Sequence, residues 1–241
     1  MATCGTTIDW GRYRAVLLDL DGVITPTAEV HQRAWATLFE PWGFTAEDYL
    51  TYVDGKPRYD GVRSFLTSRG ITLPEGTPGD PPGDGTVAAL GNRKDALFGE
   101  LLERDGVAAY PGTLALLDEL DRLGVPQAVV SSSRNARPVL AAAGLAERFP
   151  HVVDGVTLVD QQLRGKPEPD MFLYAADLLG VDPDEAVVVE DASSGVAAGA
   201  AGRFALVVGV DRGGNRQALL DSGADLVVDD LGETLDGGAG R

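Results

Sequence analysis

Arg14-Ala-Val-Leu-Leu-Asp-Leu-Asp-Gly-Val-Ile-Thr25 is the stretch on which the reading of this chain turns. Its apolar run, Ala15–Leu18, is too short for a helix and has no polar alternation. That is how a strand buried on both faces reads. Asp19 and Asp21 stand where the strand ends, and Gly22 permits a sharp turn behind them. Side chains at i and i+2 share one side of an extended chain. Two carboxylates held so close repel each other unless a cation or a shared proton intervenes. Hard oxygen donors in that arrangement point to a divalent cation, magnesium first. The plainer alternative is a turn with two solvated Asp residues; Asp-x-Asp-Gly directly after a buried strand favours chemistry.

Further runs of the same kind follow at Ala128–Val130, Ala186–Val189, Phe204–Val208 and Leu226–Val228. Helical patterns lie between them at Thr113–Leu123, Arg137–Ala143, Met171–Leu179 and Asn215–Asp221. Strand and helix alternate, which predicts an α/β fold, a doubly wound parallel sheet. From Thr27 to Ala108 the alternation stops. Glu29–Glu40, Tyr59–Arg69 and Val87–Arg104 read as helices with no buried strand among them. Residues 1–26 and 108–241 are therefore expected to form the Rossmann-like core, and residues 27–107 an inserted helical cap. Within the cap, Pro74–Gly85 is rich in Pro, Gly and Asp and is expected to be a mobile loop. The Gly-rich tail Asp236–Arg241 is expected to fray.

Three more strand ends carry polar groups. Val129-Val-Ser-Ser-Ser-Arg-Asn135 runs from a strand into hydroxyls and then a helix. Hydroxyl and backbone N–H groups at a helix start can cradle an anion, although ordinary capping reads the same way. Gly165-Lys-Pro-Glu-Pro-Asp170 holds Lys166 in a stiffened loop before a helix. Val187-Val-Val-Glu-Asp-Ala-Ser-Ser-Gly195 ends a strand in Glu190 and Asp191, followed by a helix of small residues. Each signal alone is modest. Parallel strands bring all four ends to one edge of the sheet, where ligands bind in open α/β folds. That edge would hold four carboxylates, hydroxyl donors and one Lys, a constellation suited to moving a phosphoryl group by positioning and charge neutralisation.

The formal net charge of −17 over 241 residues argues against nucleic-acid binding and against anionic membranes. It also means that an anionic substrate must find its cations locally. The single cysteine, Cys4, leaves no partner for an internal disulfide. Met1–Tyr13 shows no signal-peptide pattern, and no apolar run approaches the ~20 residues of a spanning helix. The expectation is a cytoplasmic protein.

Asp19-Leu-Asp-Gly-Val-Ile-Thr25, Ser131, Lys166 and Glu190-Asp191 resemble, in order and strand context, the four motifs of the haloacid dehalogenase superfamily of phosphotransferases. Thr25-Pro-Thr-Ala-Glu-Val-His-Gln-Arg-Ala-Trp35, Gly55-Lys-Pro-Arg-Tyr-Asp60, Asn92-Arg-Lys94 and Tyr110-Pro-Gly112 are similar to the β-phosphoglucomutase-like subfamily with its helical cap. The resemblance implies that Asp19 is the nucleophile and Asp21 the general acid–base, with Ser131 and Lys166 neutralising phosphoryl oxygens. It implies magnesium on Asp19, Asp191, Glu190 and the backbone carbonyl of Asp21. It further implies that Thr27, His31, Arg58, Lys94, Ser132, Arg134 and Asn135 bind substrate, Arg58 gripping a distal phosphate. Two features depart from that subfamily: Pro26 stands where its mutases usually carry an acid, and the insert Pro74–Gly85 is longer than its caps usually have.

The activity so implied is an interconversion of β-glucose 1-phosphate and glucose 6-phosphate by a monomeric enzyme. Hydrolysis of a sugar or cyclitol phosphate is the alternative. A receiver-type phosphoacceptor module also places acids and a Lys at a sheet edge, but such modules are shorter and have no helical insert after the first strand.

Overall fold

The computed structural model describes residues 7–235. Cys4 and the tail Asp236–Arg241 lie outside the described residues. Six strands form one parallel sheet: β1 (Ala15–Leu18), β2 (Gln127–Val130), β3 (Val152–Val153), β4 (Ala186–Glu190), β5 (Leu206–Val210) and β6 (Leu226–Val228). Their spatial order is β3-β2-β1-β4-β5-β6, so β1 lies centrally and the chain winds outward on both sides of it. The parallel doubly wound sheet and its helical cap are as the sequence leads one to expect.

Both faces of the sheet are covered, and the strands show it residue by residue. Val16 and Leu18 face one way with Val129, Val187 and Val189, against Leu116, Leu117 and Leu120 of α5 (Pro111–Leu123). Ala15 and Leu17 face the other way with Ala128, Val130 and Val188, against Met171, Phe172 and Ala175 of α6 (Asp170–Leu179). Burying each such Val, Leu or Phe side chain is worth roughly 1.5–3 kcal/mol. Helix α5 begins with Pro at its first position and ends at Gly124, whose φ of +70° suits the left-handed cap.

The cap lies between β1 and α5. Its helices are α1 (Thr27–Phe39), the short α2 (Ala46–Asp48) continued by a π-helical turn Tyr49–Val53, α3 (Arg58–Ser68) and α4 (Val87–Asp105). They enclose a core of their own, with Phe39 stacked on Phe65 at 4.2 Å and Trp35, Val62 and Leu90 around them. Val30, Ala34 and Phe98 of the cap join the cluster on the α5 face of the sheet.

Several local expectations need correction. The fifth strand runs Leu206–Val210 rather than Phe204–Val208, because Phe204 turns under the sheet to meet the edge of Phe172 at 6.1 Å. Strand β3 is only two residues long, Val152–Val153, too brief to leave a periodic signal. The π-turn at Tyr49–Val53 leaves none either. The Pro74–Gly85 insert is a loop, but it is tied down. Asn92 Nδ2 of α4 donates to the carbonyls of Pro78 at 3.1 Å and Asp80 at 2.8 Å, and Asp80 accepts from Thr77 and Thr86.

Candidate active site

Asp19 continues β1 by one rung, its N–H bonding the Val189 carbonyl at 2.9 Å. Its Oδ2 accepts the N–H of Asp21 at 2.8 Å, which fixes the carboxylate at the lip of the sheet. Gly22, at φ +88°, then turns the chain. A Cβ there would stand 1.7 Å from Asp191 Oδ2, so the absence of a side chain is what admits the Asp191 carboxylate beside Asp19.

Lys166 is fully buried and uses every proton of its ammonium. It donates to Asp19 Oδ1 at 2.5 Å, to Glu190 Oε1 at 2.5 Å and to the Val130 carbonyl at 2.9 Å. Burial opposes its charge, but Asp19 and Glu190 outweigh burial and hold it above the ordinary lysine value. The other Glu190 oxygen accepts the N–H groups of Asp191 and Ala192, both at 3.0 Å. Gly195 makes room for Glu190, since a Cβ there would sit 1.8 Å from Oε1.

Asp19, Glu190 and Asp191 each offer an oxygen within 4.8 Å of the others, the one such acidic group among the described residues. One ammonium faces these three carboxylates. Burial, then the negative charges of Asp54, Glu190, Asp19 and Asp21, hold Asp191 well above the ordinary carboxylate range. Asp19 is likewise raised, by burial first, with Lys166 opposing and Glu190 and Asp21 adding to it. Excess negative charge on hard oxygen donors in a buried cluster fits a divalent cation of the magnesium type.

The Asp21 carboxylate turns away from that group. Thr27 Oγ1 donates to its Oδ1 at 2.5 Å, Ser131 Oγ donates to its Oδ2 at 3.2 Å, and His31 Nε2 lies 3.3 Å from Oδ1. Burial pushes Asp21 up, but His31, Thr27 and the charge of Lys94 prevail and hold it at about 2. Any part Asp21 takes in holding a metal therefore falls to its backbone carbonyl. His31 stacks on Phe98 at 4.1 Å, and its Nδ1 meets the Lys94 amine. Burial and the nearby Arg58 lower Lys94 to about 7, so this pair carries its proton reluctantly.

The cap supplies the facing wall. Arg58 opens α3, and its guanidinium bonds Asp95 Oδ1 at 2.7 Å and Asn92 Oδ1 at 3.3 Å. Core and cap touch across the cavity through Ser132 Oγ to the Gly55 carbonyl at 2.8 Å, Ser194 Oγ to the Asp54 carbonyl at 3.1 Å, and Asn135 Nδ2 to Asp95 Oδ1 at 2.6 Å. Asp19, Asp21, His31, Arg58, Lys94, Ser132, Arg134, Asn135, Glu190 and Asp191 line one cavity. Thr27 and Ser131 stand behind Asp21, and Lys166 beneath Asp19 and Glu190. Arg134 is the exposed member, at the mouth.

Sequence reasoning missed Asp54 and Asp95. Asp54 lines the same cavity, raised to about 7 by burial against Glu190 and Asp21, with a hydrogen bond from Tyr49 opposing. Asp95 lies three residues after Asn92 on α4, and that spacing, which puts both on one helix face, was the available signal. Arg212 and Asn215 were missed as well. Arg212 Nε holds the Gly22 carbonyl at 2.8 Å, and Asn215 Nδ2 the Asp191 carbonyl at 3.1 Å.

The model of the haloacid dehalogenase-like hydrolases matches residues 13–203. The chain belongs to this family. A β-phosphoglucomutase of Mycobacterium bovis is 50% identical over 93% of this chain and 92% of its own length. Hexitol phosphatase A of Escherichia coli is 34% identical over 79% of this chain and 80% of its own. Among solved structures, a β-phosphoglucomutase from Clostridium difficile superimposes with a TM-score of 0.75 and 25% identity, covering 92% of each chain. With these relatives the chain is a phosphotransferase of the β-phosphoglucomutase-like branch of the family. Among the described residues no helix is long and apolar enough to cross a membrane.

Proposed function

We propose that the chain moves a phosphoryl group through Asp19 between two positions of a sugar phosphate, interconverting β-glucose 1-phosphate and glucose 6-phosphate. One observation carries this reading. Arg58, on the cap, and Asp19, on the core, line the same cavity, so a substrate can be held by one phosphate while its other end reacts. Arginine suits the first task because its planar fork matches two phosphate oxygens. The 50% identity to a named β-phosphoglucomutase supports the choice of sugar.

In this reading an Asp19 oxygen attacks phosphorus in line. Its new P–O bond forms as the bond to the leaving oxygen breaks, giving an aspartyl-phosphate. Asp21, ionised in the resting site, takes the proton of the acceptor hydroxyl as the bond from phosphorus to Asp19 breaks, and in the other half of the cycle it returns that proton to the leaving oxygen as Asp19 is phosphorylated, a contribution of roughly 10²–10⁴-fold. Ser131 orients Asp21. Lys166 fixes Asp19 and Glu190 in the dry floor. Asp19, Glu190 and Asp191, with the Asp21 carbonyl, would hold a magnesium ion, which when bound would supply positive charge to offset the phosphoryl oxygens. Residues 27–107 act as the closing cap, and the contacts of Gly55, Asp54 and Asp95 with the core keep water out while the intermediate lives.

A second reading, hydrolysis of a sugar or hexitol phosphate, is favoured by the likeness to hexitol phosphatase A and by Pro26 at a position where the mutases usually carry an acid. The test mixes protein, magnesium, β-glucose 1-phosphate and a trace of glucose 1,6-bisphosphate. Glucose 6-phosphate and free phosphate are followed together, with Asp19→Asn as control. Glucose 6-phosphate with little free phosphate, lost in the control, is the expected result. Free phosphate alone would replace the mutase with the phosphatase.

A further inference from the structure

Two nitrogens from opposite sides of the cavity converge on a single oxygen. Arg58 Nη2, on the cap, lies 2.7 Å from Asp95 Oδ1, and Asn135 Nδ2, on the core, donates to the same Oδ1 at 2.6 Å. The Arg58 side chain is 13% exposed, so its charge has little water to lean on and Asp95 is its counter-anion. The second arm of the guanidinium is braced separately. Nη1 bonds Asn92 Oδ1, which also accepts from the Tyr59 hydroxyl at 2.9 Å. Asn92 and Asp95 sit three residues apart on α4 and so hold the fork from one helix face.

An arginine nitrogen and an amide N–H aimed at one anionic oxygen form a phosphate-type site. In the resting protein that site is filled from within. We propose that Asp95 is a specificity-determining residue, a tethered carboxylate that occupies the anion site between Arg58 and Asn135 until the distal phosphate of a bisphosphorylated sugar replaces it. The inference rests on the phosphosugar reading above.

A tethered carboxylate competes at high effective concentration, so a ligand must do better than one negative charge to displace it. A phosphate dianion, with more charge and more acceptor oxygens, does so. A sugar hydroxyl does not. Asp95 thus raises the threshold for every ligand, and a second phosphate is what crosses it. Asn92 continues to hold Arg58 once Asp95 lets go, so the displaced state keeps its geometry.

The test measures equilibrium binding of glucose 1,6-bisphosphate by calorimetry in the Asp19→Asn background, which blocks turnover. Asp95→Asn is compared there with Arg58→Ala and with the double variant. The amide keeps the shape and an acceptor oxygen but loses the charge. Asp95→Asn should tighten the bisphosphate by about tenfold, the scale of one partly buried ion pair. The same change made on Arg58→Ala should have a much smaller effect, because only the neutral Asn135 amide is then left to unmask. Weaker or unchanged binding in Asp95→Asn, or equal gains with and without Arg58, would overturn the proposal while wild-type turnover of glucose phosphates left the enzyme reading standing. Absence of both binding and wild-type turnover would remove the phosphosugar reading, and this inference with it.

Discussion

Lys166 Nζ and Asp19 Oδ1 stand 2.5 Å apart, and the Lys166 side chain has no exposure at all. With Glu190 on its other side, the ammonium serves the floor of the site as a fixed internal counter-ion. Lys166→Met keeps the volume and removes the charge, leaving two buried carboxylates unpaired. Loss of about 3–5 kcal/mol in urea unfolding is expected. Turnover should fall by roughly 10²–10³-fold as one preorganised charge disappears. Full stability in this variant would show that the pair is not buried together in solution.

Gly55 tests cap closure. A Cβ there would stand 2.2 Å from Ser194 Oγ, and the residue sits at φ +66°. Gly55→Ala should hold the cap off the core and lower kcat/KM for glucose phosphates by at least about tenfold, at a backbone cost of roughly 1–2 kcal/mol. Unchanged kcat/KM would mean that the Gly55–Ser194 contact is not part of the reacting conformation.

Asp191 bears on the metal. Burial and neighbouring carboxylates disfavour its charge when no cation is near. Asp191→Asn should therefore raise the melting temperature in the presence of a chelator. Magnesium should raise that of the wild type, by an amount equivalent to about 2.7 kcal/mol at a hundred times Kd, and should do far less for the variant. A magnesium response equal in the two proteins would exclude Asp191 as a ligand.

Lys94 predicts a pH dependence of stability. Its folded value of about 7 lies below the ordinary 10.5. The unfolded chain thus binds the proton more readily between those limits, and stability from this group rises with pH across them. The penalty is complete below about pH 7 and fades toward 10.5. Lys94→Met, which keeps contact with the Trp35 and Phe98 rings, should melt several degrees higher at pH 6, on a scale of roughly 2–4 °C per kcal/mol. The gain should vanish near pH 10.5, and turnover should drop. A gain that is the same at both pH values would assign it to packing rather than charge.

Most of the core of the site was legible because three motifs close strands, and a buried strand followed by polar residues is a local signal; Lys166 instead lies in the loop between the helices Gly155–Asp160 and Asp170–Leu179, so the expectation that it ends a strand is corrected. Asp19, Ser131 and Glu190 needed only the parallel topology to bring them together, and Lys166 reaches them from its loop through Asp19 and Glu190. The cap was legible as helices and, through family likeness, as a wall holding Arg58, His31 and Lys94. Asp54 was not, since nothing local distinguishes it from a solvated loop acid, and Asp95 offered only its three-residue spacing from Asn92. Their meaning comes from residues 40 positions away in Asn135 and 140 in Ser194. Phe204 misled for a related reason. An aromatic at the head of an apolar run looks like strand until its partner, Phe172, is known.

The staple at Asn92 has a consequence for how such a protein can change over generations. One amide fastens the Pro74–Gly85 insert at the Pro78 and Asp80 carbonyls and, with its other end, steadies Arg58. Residues of the insert outside those anchor points can drift, lengthen or be replaced while the guanidinium stays where it is. The sheet edge, where Gly22 and Gly195 leave no space for even one more carbon, has no such freedom. Descendants of this chain can therefore vary the insert, none of whose residues lines the cavity, while inheriting the catalytic edge unchanged.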